Sequence, residues 1–75
     1  MQALIPVRVT SYKNENHFTA MFNVAGGEHS IGIVGCPCGS SNTIEKAVSD
    51  LLRRTNMESK TTFTRDCIEV EHQEY

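Results

Sequence analysis

The sequence predicts an α+β fold of order β-β-β-α-β, an antiparallel sheet of three to four strands with one helix packed on one face. Three observations predict it. Apolar residues recur at a period of two through the first third of the chain, at a helical period between Ile44 and Leu52, and in a Thr-, Ile- and Val-rich run near the end. At 75 residues the chain has room for one domain, residues 1–75, and for a thin core. Domains of this size often gain stability from a metal, a disulfide or a second copy.

Residues 4–12, "LIPVRVTSY", place Ile5, Val7 and Val9 on one side and Arg8, Thr10 and Tyr12 on the other, the pattern of a half-buried strand. Pro6 has no amide proton, which predicts an edge strand or a strand beginning there. "KNENH" reads as a turn. Residues 17–25, "HFTAMFNVA", alternate again, with Phe18, Ala20, Phe22 and Val24 facing one way, and Gly26 and Gly27 allow a second tight turn. Residues 29–35, "HSIGIVG", read as a third short strand with Ile31 and Ile33 inward, closing an antiparallel meander.

Ile44, Ala47, Val48, Leu51 and Leu52 then draw one apolar stripe on a helix from about Thr43 to Met57. Asn42 or Thr43 can cap its first amides, with Glu45 three residues after Asn42. Asp50 and Arg54 stand four apart on its exposed side, and Asn56 is suited to a left-handed cap. The last strand is expected from about Thr61 to Glu71. Phe63 falls on the opposite parity to Ile68 and Val70, which requires a bulge or a shorter strand over 66–71.

The stretch "GCPCGSSNTIEKAV", residues 35–48, concentrates cysteine, glycine and hydroxyls. A metal site would draw on Cys36, Cys38, Cys67 and His29. Cys-Pro-Cys leaves one residue between thiols where zinc knuckles use two to four, and no second close pair exists. The expected metal and cofactor complement is therefore none. A disulfide within Cys36–Cys38 would close a strained ring, and a bond to Cys67 needs an oxidising compartment. A thiol just before a helix start is activated by the dipole, yet none of His17, His29 and His72 is placed beside it by sequence. The stretch also resembles a phosphate loop without the Walker lysine. The bland account covers the same residues: Gly35 and Gly39 turn the backbone, Pro37 stiffens it, and Ser41, Asn42 and Thr43 cap the helix.

The formal net charge of −2 argues against a strongly electrostatic nucleic-acid binder. A local basic edge of Lys46, Arg53, Arg54, Lys60 and Arg65 keeps that reading open for a small regulatory accessory protein. No apolar run approaches a membrane span. Met1–Pro6 lacks the features of a signal peptide, and three cysteines make an odd number, so a cytoplasmic protein with reduced thiols is expected.

Tyr12, Met21 and Asn23 fall on the sheet face opposite the apolar one, with Val34 and Cys36 expected beside them. No second helix exists to cover that face, so it binds a partner or a second copy. With Arg53 and Arg54 of the helix, these residues form the expected partner-binding surface. No catalytic residues are expected.

The β-β-β-α unit, Gly39, and the run Thr43-Ile44-Glu45-Lys46-Ala47-Val48 resemble the small HicB-type antitoxin domain, a partial RNase H-like fold, over residues 4–57. Gly39, Thr43, Ile44, Glu45 and Ala47 fit that family's entry into its helix. Lys46 replaces an acidic residue, and three residues rather than one separate the glycine from the threonine. The resemblance implies a protein-binding module that neutralises an mRNA-cleaving toxin and often dimerises. The chain has no room for the helix-turn-helix that family members commonly add, so a stand-alone inhibitor, including a viral inhibitor of a host system, fits equally.

Overall fold

A computed structural model describes residues 4–75; of the readings above, that of Met1–Pro6 as lacking a signal peptide lies partly outside them. The chain folds as α+β. Four strands, β1 (Ile5–Ser11), β2 (Phe18–Phe22), β3 (Cys38–Ser41) and β4 (Ile68–Glu74), form one mixed sheet of order β3-β2-β1-β4, and helix α1 (Ile44–Ser59) lies between β3 and β4 in sequence.

The sheet differs from the expected antiparallel one in a single pairing. β1 pairs antiparallel with β2 and β2 with β3, but β1 and β4 run parallel. The reason is α1: a helix of 16 residues carries the chain back along the length of the sheet, about 24 Å at 1.5 Å per residue, so the next strand starts at the end where β3 started. β1 is consequently central rather than an edge. Pro6 is tolerated as its second residue, opposite Glu69, and its carbonyl still accepts from the Asn23 amide at 3.0 Å.

The third strand is displaced from residues 29–35 to Cys38–Ser41. Gly27, Gly32 and Gly35 all adopt positive φ, a backbone that strands do not use. Glu28–Ile31 coils into a short 3-10 turn instead, closed by Ser30 Oγ donating to the Gly27 carbonyl at 2.7 Å. Ile33 is still buried, so the apolar residue reaches the core from a loop.

Thr43 is the helix cap, its hydroxyl accepting from the Lys46 amide at 3.2 Å. The helix runs two residues beyond the expected Met57, and Lys60 rather than Asn56 takes the left-handed position. The parity conflict near the end is resolved by a shorter strand, but at Ile68–Glu74 rather than 66–71, running past the expected end at Glu71. Phe63 lies before it and packs edge-on with Phe22, ring centroids 6.4 Å apart, and a 3-10 turn (Arg65–Cys67) intervenes.

The core lies between α1 and one sheet face. Val7, Val9, Ala20 and Phe22 meet Ala47, Val48, Leu51 and Leu52, with Ile33 and Ile68 at the margins. Since α1 sits mainly over β3 and β2, it must approach β3 closely, and Gly39 permits this. A Cβ there would overlap the Ala47 carbonyl and the Leu51 amide nitrogen.

Candidate functional site

The face away from α1 has no covering element among the described residues. Strand register arranges its side chains in rows. Cys38, Met21, Arg8 and Glu71 cross all four strands in one row, and Ser40, Thr19, Thr10 and Gln73 in the next. Asn23 continues the parity of Met21 one residue past β2, beside Pro6. Tyr12 continues that of Thr10 past β1 and stacks at a tilt on Tyr75, ring centroids 5.7 Å apart. Tyr12 is 59% exposed and Met21 44%.

Tyr12, Met21 and Asn23 therefore share one face, as expected. Val34 and Cys36 do not join it, because the segment that holds them is a loop; the Val34 amide instead donates to the Ser59 hydroxyl oxygen at 2.9 Å. Cys38 takes their place on the face. The row has a mixed chemistry: a thiol, a thioether, a guanidinium and a carboxylate. Within it the Arg8 Nε is buried without a hydrogen-bond partner, an unpaired donor of a kind that folded proteins rarely leave.

Arg53 and Arg54 belong to the opposite layer and do not merge with Tyr12 and Met21 into one surface. Both are held by Asp50, at 2.6 Å from Arg53 and 3.1 Å from Arg54. Asp50 also accepts from the Ser40 amide at 3.2 Å, tying the arginine pair to the β3 edge. The Arg53 guanidinium, with the Ser40 amide and Arg54 behind it, holds the Asp50 carboxyl below its ordinary value against the opposing effect of burial.

Arg65 pairs with Glu45 at 3.3 Å, and the two rim a groove of about 320 Å³ with Lys46 and Ser49 over Leu52. Three of the five cations in the expected basic edge are thus engaged by carboxylates. That weakens a phosphate-binding reading, which depends on uncompensated Lys and Arg.

The cysteines do not converge. Cys38 is on β3 and Cys67 just before β4, at opposite edges of the sheet, and all three thiols are free. Among the described residues, no group of three or more His, Cys, Asp or Glu is placed to hold a metal ion. Cys36 Sγ lies 3.9 Å from Glu28, while Cys67 contacts the Thr64 hydroxyl at 3.5 Å. That hydroxyl, then the Thr64 backbone, lowers the Cys67 thiol pKa.

One chemically suggestive contact is invisible in the sequence. Ser11 Oγ and His72 Nε2 are 2.8 Å apart although 61 residues separate them in the chain, and Phe18 packs on the imidazole at 5.6 Å. A hydroxyl beside an imidazole is two parts of a nucleophile triad. Ser11 is only 4% exposed, and among the described residues no carboxylate is bonded to the imidazole. The contact pins β4 to β1 and gives a substrate little access to the hydroxyl.

No family model, curated protein or solved structure gives a significant match to this chain. Among the described residues, no helix is long and apolar enough to cross a membrane.

Proposed function

We propose that the chain is a non-enzymatic protein-binding module, with antitoxin-like inhibition of its partner as the sharpest form of that reading. The observation that carries it is the bare sheet face. A helix covers one side only, and the other carries the Tyr12–Tyr75 pair, Met21, Cys38 and Arg8. Aromatic, Met and Arg side chains are the types enriched where protein interfaces form.

The individual motif residues carry little weight. Gly39 makes room for the helix backbone, Thr43 caps it and Ala47 is buried beneath it, so helix docking alone accounts for all three.

Affinity purification of the tagged full chain from the cells that produce it tests the reading. A stoichiometric protein partner, or a second copy, is the expected result. A monomer that brings down neither contradicts it.

A further inference from the structure

The sheet has two edges, and the fold treats them differently. The edge at β3 is four residues long, and the Ser40 amide that points outward is already taken by Asp50. The edge at β4 is seven residues long. Its main-chain parity is fixed by the residue that follows it. The Tyr75 amide donates to the Ser11 carbonyl and the Tyr75 carbonyl accepts from Lys13, both at 2.8 Å. Tyr75, Gln73, Glu71 and Glu69 therefore turn their main-chain groups toward β1. In a parallel ladder the alternate residues face the other way, so Val70, His72 and Glu74 present their N–H and C=O groups to the open edge. No element among the described residues pairs with that side.

An open row of backbone donors and acceptors is a template for one more strand, and its charge selects the strand. β4 carries Glu69, Glu71 and Glu74 and neither Lys nor Arg. None of the three carboxylates forms an ion pair among the described residues, although Arg8 lies across from Glu71 in the register. A second copy added here would set carboxylates against carboxylates, whereas an extended basic segment would set lysines or arginines against them. We propose that β4 receives an extended, Lys- or Arg-rich segment of a partner protein as a fifth strand. This rests on the protein-binding reading above and specifies the chemistry of the partner.

The test is amide hydrogen exchange on the full chain with an octapeptide of alternating lysine and valine, against one of alternating glutamate and valine. The expected result is that exchange at Val70, His72 and Glu74 slows by about tenfold or more with the basic peptide alone, while Glu71 and Gln73, already bonded to β1, change little. Glu74→Pro removes one outward donor at a position where an edge strand tolerates proline. It should weaken peptide binding about tenfold while the Gln73 and Tyr75 amides stay protected, which shows that the β1–β4 ladder is intact. Glu69→Gln with Glu71→Gln should weaken binding and flatten its salt dependence. Equal binding of both peptides, or no slowing at Val70, His72 and Glu74, overturns the proposal. A cellular partner lost on Tyr12→Ala with Met21→Ala but kept by Glu74→Pro overturns it too, and leaves the protein-binding reading standing.

Discussion

Gly39 of β3 lies directly beneath Leu51 of α1, so close that a Cβ on the glycine would stand 2.8 Å from the Leu51 Cα and closer still to the Leu51 amide nitrogen. The atoms in the way are helix backbone, which cannot move aside as a side-chain tip can. Gly39→Ala should therefore cost about 2–4 kcal/mol through displacement of the helix. Urea denaturation measures it; a loss below about 0.5 kcal/mol would mean that the helix does not dock on β3 as described.

Asn56 ties the end of α1 to the segment that follows. Its Oδ1 accepts from the Thr61 hydroxyl at 2.7 Å and the Phe63 amide at 3.0 Å, and its Nδ2 donates to the Phe63 carbonyl at 2.9 Å. Asn56→Ala leaves these half-buried groups without partners and should destabilise by about 1–3 kcal/mol. Asn56→Asp keeps the acceptor but sets an oxygen against the Phe63 carbonyl, so it should also be destabilising in a thermal melt at neutral pH.

Thr55 is fully buried and its hydroxyl has no partner. Thr55→Val removes the desolvated hydroxyl while filling nearly the same space, and should leave stability unchanged or raise it by about 1 kcal/mol. A loss of more than that in the same denaturation assay would show that the hydroxyl is satisfied in solution.

Asp50 sets the acid limb of one local contribution. Its carboxyl is held below its ordinary value of 3.8, so the stabilisation it gives is fully present above that pH. It is lost as the pH falls through the lowered folded value. Asp50→Asn should cost about 1 kcal/mol or less at pH 7, as for other exposed ion pairs. The gap between variant and parent should narrow as the pH falls below 3.8. A gap independent of pH over that range would contradict the pairing with Arg53.

Much of the fold was legible because burial writes a period into the chain. Val7 and Val9, Ala20 and Phe22, and the stripe from Ile44 to Leu52 all occupy the core positions their spacing implies. What was not legible depends on contacts between distant segments. Ile31 and Ile33 alternate like strand residues, but the positive φ of Gly32 and Gly35 is a backbone property that hydrophobic patterning does not carry. Gly39 read as a turn residue, and its role in docking the helix shows only once β3 and α1 are stacked. Parallel pairing of β4 with β1 follows from where the helix delivers the chain. At the candidate site, the shared face of Tyr12, Met21 and Asn23 could be read from strand parity. The Asp50 clamp on Ser40, the Ser11–His72 contact and the orphaned Arg8 nitrogen could not, since each joins residues whose proximity or burial is decided by the assembled sheet.

Light scattering coupled to size-exclusion chromatography on the full chain purified from its own cells, comparing parent with the Tyr12→Ala, Met21→Ala double variant, shows whether the bare sheet face is a protein interface. Neither residue belongs to the buried core, so the double variant should fold. The expected parent mass includes a stoichiometric partner or second copy, and the expected variant mass is that of the lone chain. A parent that elutes alone, or a variant that keeps its complex undiminished, would contradict it.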